Sequence, residues 1–143
     1  MNVGQILKAK GRSVVVNQAS TAIDEIIKEL ADYKIGAVVI VDDDGRVAGI
    51  VSERDIMRLL AQKGASALSH PASSVMTAEV VTCVETDSVN QIMEIMTAGR
   101  FRHVPVVTSD QQLIGIVSIG DVVKNHIAEV ELEASALKSY VAG

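Results

Sequence analysis

The apolar residues of the chain form short runs whose spacing changes along the sequence. The run from Ser13 to Val16 is β-branched and predicts a strand. Two further apolar runs flank a polar segment with three consecutive aspartates and a glycine, Asp42 to Gly45, and this arrangement predicts a β-hairpin rather than a cation site. Between the strand and the hairpin, apolar residues recur at helical spacing, at Ile23, Ile26, Ile27 and Leu30. A second helical pattern follows the hairpin and ends at Gly64.

The same order of elements occurs a second time, 66 positions further along the chain. The run Glu79 to Thr82 matches the first strand, and "GIVSIGD" from Gly115 to Asp121 matches "GIVSERD" from Gly49 to Asp55. Two copies of this length indicate duplication of a small domain rather than a solenoid. Each copy would leave one apolar sheet face uncovered if it stood alone. We therefore predict an α+β (mixed α/β) fold of two βαββα repeats, packed face to face with pseudo-two-fold symmetry.

The segments outside the repeated patterns complete the predicted organisation. Residues 64–74 are rich in Ser, Ala and Gly and are predicted to be a linker. We expect a first repeat with an N-terminal segment at 1–63, a second repeat at 75–128 and a C-terminal helical extension at 129–143. Polar residues before the first helix of each repeat, Ser20-Thr21 and Thr86-Asp87, are the expected helix caps.

Composition and charge narrow the range of partners. Few aromatic side chains are available to stack on bases, and the formal net charge of -5 opposes a polyanion, so nucleic acid is not an expected partner. Cys83 is the single cysteine and is expected to be a small buried side chain. No run reaches the roughly 18 apolar residues of a membrane span, and the first residues lack the pattern of a secretory signal. We expect a cytoplasmic protein with no membrane partner.

The repeated Ser-x-x-Asp has two interpretations that the residues alone leave open. It is typical of a capping box at a helix start, which would be purely structural. Alternatively, the helix-start amides and the hydroxyl suit a phosphate, and the carboxylate suits the two hydroxyls of a ribose. An enzyme using Asp55 or Asp121 as general base is a third hypothesis, disfavoured because no nucleophile or metal set accompanies them. The three histidines share no ligand spacing, so no metal site is expected.

Three motifs in a fixed order carry a family resemblance: "VMT", "FRHVPVV" and "GIVSxxD". Together they resemble paired cystathionine β-synthase (CBS) domains, the tandem often called a Bateman module, over roughly Val3 to Asn125. The resemblance implies a stand-alone regulatory module that is not an enzyme and has no catalytic cofactor. It implies an adenosine nucleotide ligand, such as AMP, ADP, ATP, NAD(H) or S-adenosylmethionine, a homodimer, and an unidentified regulated protein that responds to a conformational change.

The resemblance also implies two ligand sites between the repeats. One would use Ser118, Asp121, His103 and Arg102 with the segment that contains Lys10, Arg12 and Val15. The other would use Ser52, Asp55, Arg54 and Ala37 with Thr77 and Val81. Because Arg100 and Arg102 flank His103, we expect the Ser118 site to prefer a phosphorylated adenosine more strongly.

Overall fold

The computed structural model describes residues 1–142, with side chains through Val141. It contains five α-helices, α1 (Val3–Lys10), α2 (Ile23–Tyr33), α3 (Glu53–Lys63), α4 (Val89–Gly99) and α5 (Ile119–Ala142). Two short 3-10 helices, Gly64–Ser69 and Ala72–Ser74, lie in the predicted linker. The strands are β1 (Val16–Asn17), β2 (Ala37–Val41), β3 (Val47–Ser52), β4 (His103–Val107) and β5 (Leu113–Ser118). No helix in the described part of the chain combines the length and apolar character that a membrane span requires.

The predicted hairpins are confirmed, whereas the predicted first strands are only partly present. Strand β2 pairs antiparallel with β3, and β4 pairs antiparallel with β5. In the first repeat, β1 runs parallel to β2 but begins at Val16, later than expected. In the second repeat, residues 79–82 form no strand, and Cys83 alone makes a parallel bridge to Val106. The residues expected to pair there line a cleft instead, so their backbone does not join the sheet.

The acidic segment of the first hairpin is a turn, as predicted. Asp42 accepts hydrogen bonds through Oδ1 from the amides of Asp44 and Arg46, each at 2.9 Å. Gly45 has φ +79°, a conformation that glycine adopts without a steric penalty. The carboxylate of Asp42 is therefore used to hold the turn.

The helix starts differ from the predicted caps at two places. Helix α2 begins after Ala22, which has no capping side chain, because the Thr21 hydroxyl accepts from the Gln18 amide in the preceding turn. Helix α4 is capped by Ser88 in a capping box with Gln91. Helix α3 begins at the repeated motif, as expected, with Ser52 as its cap.

Two apolar clusters form the core, and each contains residues from outside its own hairpin. The first cluster joins α2, β2, β3 and α3 to Ala67 and Ala72 of the predicted linker. The second joins α4, β4, β5 and α5 to Val3, Ile6 and Leu7 of α1. The N-terminal helix therefore packs on the second repeat, while the linker packs on the first. The domain boundaries given above remain a prediction.

Glycines of the repeated motif permit this packing. A Cβ on Gly49 would lie 2.7 Å from Met76 Sδ, and one on Gly115 would lie 2.8 Å from Leu7 Cδ2. The two repeats also meet at an antiparallel bridge between Arg46 and Gln112, which are equivalent positions of the duplication. A contact between equivalent positions is expected on a pseudo-two-fold axis, in agreement with the predicted face-to-face arrangement.

Candidate functional site

Two clefts lie between the repeats, one beside each copy of the Ser-x-x-Asp motif. The Ser52 cleft has a volume of about 320 Å³ and is lined by Ile50, Ser52, Glu53, Arg54, Asp55, Arg58, Thr77, Glu79, Val80, Val81 and residues 99–103. The Ser118 cleft has a volume of about 790 Å³ and is lined by Lys10, Ser13 to Val16, Glu29, Tyr33 to Ala37, His103, Ile116 and Ser118. Both volumes are in the range of roughly 300–1,000 Å³ that is common for small-molecule sites.

At the Ser52 cleft, the start of α3 presents a hydroxyl and a carboxylate together. The amide and the hydroxyl of Ser52 each donate to Asp55 Oδ2 at 2.9 Å, and the Asp55 amide donates to Ser52 Oγ at 3.3 Å. These bonds form the capping box that one interpretation predicts. They engage only Oδ2, so the second carboxylate oxygen, Oδ1, accepts no hydrogen bond from residues 1–142.

Four arginines line the Ser52 cleft, which gives it a cationic wall. Arg54 and Arg58 come from α3, and Arg100 and Arg102 come from the turn between α4 and β4. None of these guanidinium groups forms an ion pair within the described part of the chain. They face three carboxylates along the same wall, those of Glu53, Asp55 and Glu79. The cleft therefore offers unpaired guanidinium groups beside a carboxylate with a free oxygen.

The Ser118 cleft differs because its carboxylate already has a cationic partner. Lys10 Nζ lies 2.7 Å from Asp121 Oδ2 and also donates to the Ile116 carbonyl at 2.9 Å. Asp121 additionally accepts from the amide and hydroxyl of Ser118, at 2.9 and 3.0 Å. Burial raises the pKa of the Asp121 carboxyl, but the hydrogen bonds and charge of Lys10 and the bonds from Ser118 outweigh it and hold the pKa below 3.8.

His103 lies between the two clefts and lines both of them. A Cβ on Gly36 would come within 3.2 Å of the His103 ring, so the absence of a side chain at Gly36 makes room for the imidazole. Burial lowers the pKa of His103 below its ordinary value of 6.5, and Glu53 opposes this shift. The imidazole is therefore predominantly neutral at pH 7.

Most of the predicted site residues line one of the two clefts, although their distribution differs from the expectation, and Asp121 adjoins the Ser118 cleft only through its bonds to Lys10 and Ser118. Thr77 and Val81 lie with Ser52 and Asp55, and Lys10 and Val15 lie with Ser118, as expected. Ala37, however, lines the Ser118 cleft, and Arg102 lines the Ser52 cleft. Each cleft is built between repeats, so the start of one hairpin faces the helix start of the other repeat. The cationic wall consequently belongs to the Ser52 cleft, contrary to the expectation for the Ser118 site.

Two further residues change the predicted set. Arg12 lies outside both clefts, in an ion pair with Glu85 beside a separate surface depression. Arg58 was not predicted, although its position four residues after Arg54 places both on one face of α3.

Cys83 is buried, and burial and the charge of Asp87 raise the pKa of its thiol to about 12. Among residues 1–142, no group of three or more His, Cys, Asp or Glu side chains could hold a metal ion.

Comparison with known proteins identifies the duplicated unit. The profile of the CBS domain family matches residues 4–62 and 72–127. A mitochondrial CBS domain-containing protein of Arabidopsis thaliana, CBSX3, is 32% identical over 99% of this chain and 72% of its own length. The crystal structure of a CBS-domain protein from Agrobacterium tumefaciens is 48% identical and superimposes with a TM-score of 0.82 over 86% of this chain and 91% of its own.

Two similar structures contain adenosine compounds. A CBS domain protein from Pyrobaculum aerophilum, solved with AMP, is 32% identical with a TM-score of 0.76, over 85% of this chain and 89% of its own. The CBS domain pair of protein MJ0100, solved with 5′-methylthioadenosine and S-adenosyl-L-methionine, is 26% identical with a TM-score of 0.81, over 90% and 98%. The family match covers both copies of the repeat, and the solved structures share its arrangement. The chain therefore belongs to the CBS domain family, as a pair of CBS domains.

Proposed function

We propose that the chain is a regulatory module that binds a phosphorylated adenosine ligand in the Ser52 cleft. The observation that carries the proposal is the position of Asp55, with a free carboxylate oxygen, beside the unpaired guanidinium groups of Arg54, Arg58, Arg100 and Arg102. A nucleotide requires this combination, because its ribose presents neutral donors and its phosphates present negative charge.

The chemistry of each part of the ligand suits one part of the cleft. The two ribose hydroxyls donate side by side, and Asp55 Oδ1 is free to accept. The phosphate is attracted by the guanidinium groups. Val80 and Val81 lie along the same cleft and supply apolar contact for the base. This division assigns Ser52 and Asp55 a ligand role in addition to their capping bonds.

The charge of the cleft favours some adenosine compounds over others. The CBS proteins with AMP and with S-adenosyl-L-methionine support an adenosine ligand as a class. Four arginines against the carboxylates of Glu53, Asp55 and Glu79 leave the lining with one net positive charge (four minus three), which disfavours the cationic sulfonium of S-adenosylmethionine and favours phosphate groups. We therefore infer that the ligand is AMP, ADP, ATP or NAD(H).

The module acts through a conformational change that ligand binding causes. Binding between the repeats changes their relative position, and a separate regulated protein responds to that change. The module is a cytoplasmic homodimer and is not an enzyme, with neither nucleic acid nor membrane as a partner. Prolonged incubation with ATP or NADH followed by chromatography should return the nucleotide unchanged, and formation of a product would overturn this part of the proposal.

Calorimetry with a series of ligands tests the proposal. AMP, ATP and NADH should bind more tightly than adenosine, and S-adenosylmethionine should bind more weakly than AMP. Arg58→Met should lose AMP affinity by roughly tenfold, the effect expected for one hydrogen bond to a charged group, with little change for adenosine. Lys63→Met, a charge change at the far end of the same helix, is the matched control.

The alternative is a purely structural module, and the complete capping boxes at both motifs favour it. In that case none of the nucleotides would bind to the wild-type protein. Mass spectrometry of small molecules released from freshly purified, denatured protein would then also find no adenosine compound.

A further inference from the structure

The distal part of α5 is exposed to solvent along its described length. From Val130 to Val141 every side chain is exposed, although the helix continues without a break. Leu137 is 64% exposed and Val141 is 77% exposed. Most of the stability of a helix in a protein comes from the packing of its apolar face. The apolar side chains of this segment are exposed, so a partner packed along them would stabilise the helix.

Five of the eight exposed large apolar residues in the described part of α5 fit a heptad pattern, whereas Leu132 falls at position f, and Ile119 and Tyr140 fall at position g. Together with Ala134, the five alternate at spacings of four and three, which is the spacing of the a and d positions of a coiled coil. Position a is occupied by Ile127, Ala134 and Val141, and position d by Val123, Val130 and Leu137. Two of the three a residues are β-branched, as in two-stranded coils, while position d holds two valines and one leucine. The pattern indicates a helical partner rather than a sheet edge or a small ligand.

The stripe formed by the a and d residues of α5, called the seam below, faces away from the chain's own core. On the opposite side of α5, Val122 is buried in the second apolar cluster, and Glu129 pairs with the amino group of Met1 at 2.8 Å. Val123 and Ile127, at the start of the seam, are 44% and 51% exposed although they lie beside the body of the protein. The seam thus runs continuously from the body to the end of the described helix.

Charges beside the seam select both the partner and its direction. In a parallel, in-register pair of identical helices, Glu133 would face Lys138 of the second copy, and His126 would face Glu131 of the second copy. In a fully overlapping antiparallel pair, Lys124 would face Lys138, and Glu131 and Glu133 would each face their own copies. The Glu133–Lys138 pair makes the first arrangement attractive, whereas the second sets like charges against each other at Lys124–Lys138, Glu131–Glu131 and Glu133–Glu133.

We propose that α5 pairs with α5 of a second copy of this chain in a parallel, in-register, two-stranded coiled coil. Ala134, the smallest residue of the seam, lies near its centre and allows the two helices to approach closely there. The contact involves no residue of either cleft, so it is independent of the proposed ligand. A parallel, in-register pair has a two-fold axis along the helices and is therefore a closed symmetric dimer.

Cysteine cross-linking tests this contact. Ala134→Cys places a thiol at position a, where the two copies face each other, whereas Ser135→Cys places one at the neighbouring outward position b. Under mild oxidation, most Ala134→Cys chains should form a covalent dimer, while Ser135→Cys and the wild type, with its buried Cys83, should remain at background. Equal cross-linking of the two variants, or none by either, would overturn the proposal.

A charge exchange in the Ala134→Cys background tests the direction of the pair. Glu133→Lys alone and Lys138→Glu alone should each reduce cross-linking, because each sets like charges against one another in the parallel pair. The double variant should restore cross-linking, because the two charges have exchanged positions and still attract each other. A double variant that cross-links no better than the singles would contradict the parallel arrangement. Helical content measured by circular dichroism controls for loss of folding.

Discussion

Lys10 and Asp121 form an ion pair, at 2.7 Å, that has no counterpart at the other copy of the motif. At the equivalent place in the Ser52 cleft, the backbone amide of Thr77 donates to the Ile50 carbonyl at 2.9 Å, and Asp55 has no lysine partner. The duplication therefore produces two carboxylates in the same local geometry, of which one is already neutralised by its own chain.

The first prediction is that Lys10 weakens ribose binding in the Ser118 cleft. Asp121 Oδ1, like Asp55 Oδ1, accepts no hydrogen bond from the described residues, but the Lys10 ammonium on Oδ2 neutralises the carboxylate and makes it a weaker acceptor for a ribose hydroxyl. The expected loss is about 1 kcal/mol, the difference between a hydrogen bond to a charged group and one to a neutral group. In an Asp55→Asn background, which removes the other cleft's acceptor, Lys10→Met should strengthen adenosine binding measured by calorimetry. Lys8→Met, an exposed lysine on the same helix, is the control. Weaker binding after Lys10→Met would mean that the ammonium contacts the ligand instead.

A second prediction concerns the titration of Asp121. Its pKa is held below 3.8, chiefly by Lys10 once the opposing effect of burial is overcome. The ion pair thus stabilises the fold above the unfolded-state pKa, and this contribution is lost as the pH falls through the lower folded-state pKa. In Lys10→Met, the carboxyl pKa measured by NMR should rise. An unchanged pKa would show that the Ser118 hydrogen bonds alone hold it down.

The third prediction is that nucleotide binding takes up a proton at His103. Burial keeps its pKa below 6.5, and an approaching phosphate would favour the protonated form and raise the pKa. Affinity for AMP should therefore increase as the pH falls from about 7.5 to about 6. His103→Asn should remove this added pH dependence while leaving that of the phosphate itself. Adenosine, which has no phosphate, should show little dependence in either protein.

The fourth prediction tests the glycine of the repeated motif. A Cβ at Gly49 would lie 2.7 Å from Met76 Sδ and 3.1 Å from the Thr77 carbonyl, so Gly49→Ala should overpack the contact and cost about 1–3 kcal/mol of unfolding free energy. Gly120→Ala is the matched control, because its Cβ would meet only Ser118 Oγ at 3.6 Å. Urea denaturation should show a loss for the first variant and no loss for the second.

The fold was largely predictable because most elements occur twice in the sequence, so the apolar pattern of one copy supports the interpretation of the other. The hairpins and the helix that starts at Ser52 follow from local apolar spacing and turn chemistry. The missing strand at residues 79–82 was not predictable, because a β-branched run has the same local appearance whether it pairs in a sheet or lines a cleft.

The identity of the site residues was more predictable than their distribution between the two clefts. Ser52, Asp55 and Thr77 were identified correctly as neighbours. The placement of Ala37 and Arg102 depends on how the repeats face each other, which spacing along one chain does not specify. The Lys10 contact with Asp121 joins residues 111 positions apart, and no local pattern indicates it.

The central claim is that a phosphorylated adenosine ligand binds in the Ser52 cleft and that the Ser118 cleft binds it much more weakly, because Lys10 already neutralises Asp121 and no arginine lines that cleft among the described residues. Titration calorimetry of AMP against Asp55→Asn and Asp121→Asn tests this most directly, because the two substitutions are chemically identical at duplicated positions. Asp55→Asn should abolish measurable binding, and Asp121→Asn should leave the wild-type affinity and a stoichiometry of one ligand per chain. Loss of binding in Asp121→Asn with retention in Asp55→Asn would contradict the claim.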